Sequence, residues 1–210
     1  MMSEQWVVLD AMGVVFEVGD DTNDLLVPYI RERNPLVSPE RINELYLEAS
    51  LGRIQSCDLW TGVELGDQFP LIEEHYLSTR LTLDPGFRAA AEELVGHYSL
   101  ALLSNDLREW SAYLRAFFDL DRCFRAAIIS AEVGHRKPAR EIYEILLGAI
   151  RCPACDCVFV DDRAKNLRPA RELGFKTIHF IRDGAEPDPQ ADLAIRSFAE
   201  LLAAVEMVFR

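Results

Sequence analysis

Trp6-Val7-Val8-Leu9-Asp10-Ala11-Met12-Gly13-Val14-Val15-Phe16 opens on four apolar residues and stops on a carboxylate. An apolar run of this length predicts a strand buried on both faces. A carboxylate at its end is costly to desolvate unless it has a partner or a task. The same pattern recurs along the chain. Ser99-Leu100-Ala101-Leu102-Leu103 runs into Ser104-Asn105-Asp106, and Ala126-Ala127-Ile128-Ile129 runs into Ser130. Cys157-Val158-Phe159-Val160 runs into Asp161-Asp162, and Lys176-Thr177-Ile178-His179-Phe180 runs toward Arg182-Asp183. Asp192-Leu193-Ala194-Ile195 supplies a last short run.

Amphipathic periodicity predicts helices between these runs, over residues 87–97, 107–118, 139–150, 163–173 and 197–208. Gly174 stands where a helix C-cap is expected. Strands that alternate with helices imply parallel βαβ units, hence a doubly wound α/β fold. Residues 18–83 break the alternation. They hold no strand pattern, and helices are predicted over 24–33, 39–49, 56–65 and 67–80, with Asn34-Pro35 and Gly52 as punctuation. The expected organisation is a core of residues 1–17 and 84–210, with a helical cap of residues 18–83 whose own small core contains Tyr46, Trp60 and Phe69.

Composition narrows the function. The formal net charge of −13 leaves no basic footprint for nucleic acid or an anionic membrane. No apolar run approaches the ~20 residues that span a bilayer. Met1-Met2-Ser3-Glu4-Gln5 lacks the positive start of a secretory signal. The five cysteines make an odd count, four of them between Cys123 and Cys157. Reduced thiols in the cytoplasm fit this better than a disulfide framework. Cys152-Pro153-Ala154-Cys155 has no second pair or neighbouring His at a metal-ligand spacing, so these cysteines read as incidental.

Ligands of an open parallel sheet bind outside the carboxyl ends of its strands. Asp10, Ser104, Asn105, Asp161 and Asp162 all fall there. Any one of them alone reads as a turn or cap residue; together, in order, they resemble the haloacid dehalogenase-like superfamily over essentially the whole chain. Leu9-Asp10-Ala11-Met12-Gly13-Val14 corresponds to the family's first motif and Ser104-Asn105 to its second. Lys137 in Gly134-His135-Arg136-Lys137-Pro138 corresponds to the third, and Val160-Asp161-Asp162-Arg163 to the fourth.

The resemblance implies a hydrolase in which the Asp10 carboxylate attacks phosphorus to give a covalent intermediate that water then hydrolyses. It implies Mg²⁺ held by Asp10, Asp162 and the Met12 carbonyl, with Asp161 bound directly or through water. Lys137 would offset phosphoryl charge as a point cation. The Ser104 hydroxyl and the backbone N–H groups of Ala11 and Met12 would bind the phosphoryl oxygens, with Asn105 beside them. The implied partner is a small phosphorylated metabolite. Asn105 and Asn166 read equally as bracing residues and as ordinary turn and helix-start residues.

Met12 departs from the family pattern. The family carries a second Asp there, which protonates the leaving oxygen and then activates water. A thioether does neither, and general acid–base catalysis is worth about 10²–10⁴-fold. Two other readings therefore stand beside phosphatase. A 2-haloacid dehalogenase needs the Asp nucleophile but neither metal nor leaving-group acid, although the Asp161-Asp162 pair would repel a carboxylate substrate. A weakly active or non-catalytic relative would bind a phosphorylated ligand. Glu17, Asp20 and Asp21 follow where the chain enters the insert; one of them could reach the site in place of the missing acid, although solvated loop acids are the commoner case. His75, His97 and His179 read as packing or surface residues, and Arg136 and Arg163 as solvated or paired.

Overall fold

The computed structural model describes residues 4–182 and 184–210. Asp183, at the end of the expected fifth strand, and Met1-Met2-Ser3 lie outside the described residues. Six strands form one parallel sheet: β1 Trp6–Leu9, β2 Ser99–Ser104, β3 Ala126–Ile129, β4 Cys157–Asp161, β5 Lys176–Phe180 and β6 Leu193–Ile195. Their spatial order is β3-β2-β1-β4-β5-β6. The strand order reverses between β1 and β4, so the crevice of the sheet opens where Asp10 and Asp161 leave it. Leu9 pairs with Val160, and the Asp10 N–H donates to the Val160 carbonyl at 3.0 Å.

Ten α-helices accompany the strands among the described residues. In the insert they are α1 Val27–Arg31 (which continues a π-helical turn over Thr22–Leu26), α2 Pro39–Ser50, α3 Ser56–Gly62 and α4 Leu71–Arg80. The remainder are α5 Phe87–Leu94, α6 Arg108–Phe117, α7 Ser130–Val133, α8 Arg140–Ile150, α9 Ala164–Leu173 and α10 Leu201–Val208. None is long and apolar enough to cross a membrane. Alternation along β1 divides the two layers. Val7 and Leu9 pack with Leu94, Leu114 and Leu201 of α5, α6 and α10. Trp6 and Val8 pack with Ile142, Leu146 and Leu167 of α8 and α9.

Local chemistry sets several element ends. The Ser38 hydroxyl caps α2 by accepting from the Arg41 N–H at 3.2 Å, and Pro39 occupies the first turn. Gly174 ends α9 in the left-handed region at φ +100°, as its position predicts. The expected helix over 67–80 is split. Phe69 is extended ahead of Pro70, because the proline ring disfavours helical backbone in the preceding residue. A 3₁₀ turn, Gly66–Gln68, stands before the break and α4 after it. The one-turn α7 has no periodicity to betray it and was not expected.

The insert is tied to the sheet twice. Where the chain leaves and re-enters, Glu17 N–H donates to the Thr82 carbonyl at 3.1 Å and Asp84 N–H to the Val15 carbonyl at 2.9 Å. The second tie corrects the expectation of a separate small core. Tyr46 and Trp60 pack against Trp110 of α6, with ring centroids 6.0 and 6.3 Å apart, and Phe69 is 37% exposed. One hydrophobic cluster runs from Leu9 through Trp110 to Trp60 and Tyr76. The indole N–H groups of Trp60 and Trp110 both donate to Glu73 Oε2 at 2.8 Å. Aromatic rings large enough to reach across the insert carry a polar handle that must be satisfied once buried.

Glu73→Ala orphans both indole donors, at about 1–3 kcal/mol for each buried group left unpaired. We expect urea unfolding to show a loss of roughly 2–6 kcal/mol. An unchanged midpoint would mean that the shared carboxylate does not hold the insert to the sheet.

Candidate active site

Asp10 is delivered by β1 into a tight turn. The Gly13 and Val14 carbonyls of that turn accept from Arg182 Nε and Nη2 at 2.8 and 3.1 Å. Arg182 is held in turn by Asp84 at 2.7 Å. Gly13 sits at φ +81°, and a Cβ there would lie 2.3 Å from Asp162 Oδ2. Only glycine meets both conditions. The Asp10 Oδ1 atom accepts from the Ala11 N–H at 2.6 Å and from Lys137 Nζ at 2.6 Å. The Ala11 N–H is thus occupied by the carboxylate it follows.

Lys137 reaches both central strands, with its Nζ also 2.9 Å from Asp161 Oδ2. Asp161 is saturated, since Asn166 Nδ2 donates to both its oxygens and the Arg163 N–H donates to Oδ1 at 2.8 Å. Asn105 grips the Lys137 backbone, accepting its N–H at 2.7 Å and donating to its carbonyl at 2.9 Å. The side chain of Asn105 is therefore committed to holding Lys137. The Ser104 hydroxyl is buried beside them without a partner among the described residues.

Asp162 differs from its neighbour. Its Oδ1 is buried and accepts no hydrogen bond among the described residues. His179 holds its backbone: the Asp188 N–H donates to Nδ1 at 3.0 Å, leaving Nε2 to donate to the Asp162 carbonyl at 3.0 Å. Asp10, Asp161 and Asp162 each offer one oxygen, all within 4.8 Å of one another. Burial, followed by the Asp161 charge, pushes the Asp10 carboxyl well above the usual range and that of Asp162 up to about 6. Lys137 is raised, because Asp10 and Asp161 outweigh its burial. Three clustered acids thus face one ammonium in contact and the more distant Arg163 guanidinium, and an unpartnered carboxylate oxygen is a hard donor suited to a cation. The donor set fits Mg²⁺.

A cavity of about 50 Å³ lies over this cluster, roughly the share of one or two waters. Asp10, Met12, Ser104 and Lys137 line its floor. The insert and its neighbouring loops supply the walls, including Asp21, Tyr46 and Arg136. The structure therefore gathers Asp10, Ser104, Asn105, Lys137, Asp161 and Asp162 at one edge of the sheet. As sequence, Asp21 reads as a loop acid and His179 as a packing or surface residue, and Arg182 carries no signal of a role at the site. Their positions come from tertiary neighbours that no local spacing encodes. Arg53, a cap residue able in principle to reach a substrate, instead pairs with Glu48 at 2.8 Å.

A profile of the haloacid dehalogenase-like hydrolases matches residues 58–174. Rat bifunctional epoxide hydrolase 2 is 30% identical over 132 residues, covering 59% of this chain and 23% of that protein. The chain spans about a quarter of the length of these curated relatives, rat and pig alike. A haloacid dehalogenase-family enzyme from Bacteroides thetaiotaomicron, crystallised with magnesium and inorganic phosphate, superposes with a TM-score of 0.73. It is 18% identical, with 88% of this chain and 97% of that one covered. A 2-haloacid dehalogenase from Pseudomonas syringae pv. tomato superposes with a TM-score of 0.71 at 16% identity, with 98% and 99% covered. The chain belongs to the haloacid dehalogenase-like hydrolases. The magnesium- and phosphate-bound structure and the dehalogenase structure share its fold.

Asp106 gives the site a measurable pH signature. It is buried, and burial followed by the Asp21 charge pushes its carboxyl up to about 8. An unfolded Asp titrates near ~3.9. Between those values the folded chain holds a proton that the unfolded chain has lost, so this group makes stability fall as pH rises from about 4 to 8. In EDTA, we expect Asp106→Asn to flatten the change in urea midpoint between pH 5 and pH 8. The same slope in both proteins would place the effect on other acids.

Proposed function

We propose that this chain is a magnesium-dependent phosphomonoester hydrolase, acting on a small phosphorylated metabolite through an aspartyl-phosphate on Asp10. The observation that carries the reading is the charge of the crevice: three clustered carboxylates, one ammonium, and an Asp162 oxygen with no hydrogen-bond partner. A carboxylate that must meet an anionic phosphate needs added positive charge. Mg²⁺ bound there would supply it, by neutralising nucleophile and phosphoryl group together.

The chain's own residues divide the rest of the work. Asp10 and Asp162, with the Met12 carbonyl, would hold the ion. Asp161 orients Lys137 through its 2.9 Å contact and would support the ion from behind Asp10 and Asp162, since its oxygens are already engaged. Lys137 leads with its charge toward the phosphoryl oxygens, and the unpartnered Ser104 hydroxyl donates to one of them. Asn105 acts through Lys137. Residues 18–83 serve as the cap that excludes water, and the five free cysteines suit a cytoplasmic protein.

Met12 favours the second reading, a 2-haloacid dehalogenase, because halide departure needs no proton. The acidic pair weighs against it: without a cation, Asp162 would repel a haloacid carboxylate at close range.

Hydrolysis of p-nitrophenyl phosphate, measured with Mg²⁺ and with EDTA, should be metal-dependent. Asp10→Asn should lower it by at least about 10³-fold while the circular dichroism spectrum stays native, since the chemical step loses its nucleophile. Halide release from 2-chloropropionate in EDTA, without phosphatase activity, would replace this reading with the dehalogenase.

A further inference from the structure

Met12 leaves a vacancy in the chemistry. Two protons must move at the leaving oxygen and at the attacking water, and the side chain at the usual place carries none. Three acids enter the insert just downstream, and their surroundings differ. Glu17 is exposed, accepts from the Thr82 hydroxyl at 2.9 Å, and does not line the cavity. Asp20 lines it but is committed elsewhere. Its oxygens accept from the Asn23 N–H at 3.4 Å and side chain at 3.0 Å, and Arg163 stands 3.9 Å away. Asp21 is buried, 6% exposed, in the wall of the same ~50 Å³ cavity that Asp10 floors. Its Oδ2 accepts from the Tyr46 hydroxyl at 3.4 Å, and its Oδ1 accepts nothing among the described residues.

We infer that Asp21 is the general acid and base of this enzyme, delivered from the insert to the face of the cavity that Met12 leaves apolar. The inference rests on the phosphatase reading. In the first step an Asp10 oxygen bonds to phosphorus and the phosphorus–ester oxygen bond breaks. The departing oxygen takes the bonding pair and the Asp21 proton, leaving as an alcohol. In the second step water attacks phosphorus and passes a proton to the Asp21 carboxylate. The phosphorus–Asp10 bond breaks, which restores both acids and releases phosphate. Asp21 lines the same cavity as Asp10, Met12 and Ser104, on the side that the insert supplies.

The charges around Asp21 suit both protonation states. Burial and the neighbouring Asp20 raise its carboxyl, Arg163, Tyr46 and Arg136 lower it, and the balance lies at about 6. Asp106 lies close enough for its own carboxyl to be raised by Asp21. A group that titrates near the working pH can both donate and accept. The single Tyr46 O–H proton is shared between two acceptors, Asp21 Oδ2 at 3.4 Å and the Asn105 carbonyl at 3.2 Å. That contact joins the insert acid to the loop that holds Lys137.

The test compares leaving groups at saturating Mg²⁺, because an alkoxide needs a proton and a nitrophenolate does not. Asp21→Asn should lower kcat/KM for ethyl phosphate by about 10²–10⁴-fold, the usual worth of a proton donor. It should leave kcat/KM for p-nitrophenyl phosphate within roughly tenfold, with a burst of nitrophenol as the phospho-enzyme accumulates. The retained aryl reaction doubles as the check that the variant is folded. Met12→Asp in the Asp21→Asn background should restore ethyl phosphate turnover. Met12→Asp alone should gain less than about threefold on ethyl phosphate, because a donor is already present. Equal losses on both esters in a folded Asp21→Asn protein, or no loss on either, would overturn the assignment. So would a hundredfold gain from Met12→Asp alone, a measurement that does not depend on Asp21→Asn folding. Absence of any phosphatase activity in the unsubstituted protein is a different failure, of the reading beneath it.

Discussion

The Lys137 ammonium, 2.6 Å from Asp10 and 2.9 Å from Asp161, is the contact on which the site's geometry hangs. It is buried, and so are both carboxylates. A buried charge is tolerable only when paired and hydrogen-bonded, and removing one partner costs about 3–5 kcal/mol because the others stay behind. The pairing also has a structural reach. Asp10 ends β1 and Asp161 ends β4, while Asn105, just beyond β2, holds the Lys137 backbone from both sides. Three neighbouring strand ends are thereby locked to one side chain. The sheet cannot slip register at its centre without breaking that lock.

That lock is over-supplied with negative charge, which explains why its members are treated unequally. Asp161 spends its oxygens on Lys137, Asn166 and the Arg163 N–H, and so serves as a fixed counter-charge. Asp162, turned toward Gly13 and Gly19, keeps an oxygen unpaired. Two adjacent residues of one sequence motif thus divide into an internal brace and an open ligand. The division follows from strand geometry: Asp161 is the last residue of β4, paired opposite His179, whereas Asp162 has left the ladder.

Much of this was legible in the sequence because it is encoded locally. The apolar runs gave the six strands, since strands buried on both faces must be apolar throughout. The residues that close those runs converge because parallel strands end on one edge. The elements that escaped are those fixed by tertiary partners. Trp110 reads as a helix residue of the core, yet it shares the Glu73 carboxylate with Trp60 of the insert. Asp21 reads as a solvated acid, yet it is buried and meets Tyr46 of α2, 25 residues further along the chain. His179 alternates correctly as a strand residue, but its ring nitrogens serve Asp162 and Asp188 on either side of it. Local periodicity predicts which face a residue is on, and says nothing about who meets it there.

Met12 is best understood against that charge balance. It is nearly buried, at 7% exposed, within the same cluster as Val14 and Phe16. A carboxylate in its place would be a fourth acid beside Asp10, Asp161 and Asp162, raising an already unfavourable repulsion. Placing the proton carrier on the insert separates it from the cluster and surrounds it with Arg163, Arg136 and Tyr46 instead. Those same side chains, with Asp20 and Thr22, continue outward into a wider chamber of about 590 Å³ that also meets Glu40, Glu44 and Lys165. Charges of both signs line it. The net charge of −13 therefore does not describe this chamber, where Asp20, Glu40 and Glu44 are matched by Arg136, Arg163 and Lys165. The arrangement makes specificity and proton transfer properties of one structural unit: an insert that seats the leaving group correctly also brings Asp21 to the oxygen that needs the proton.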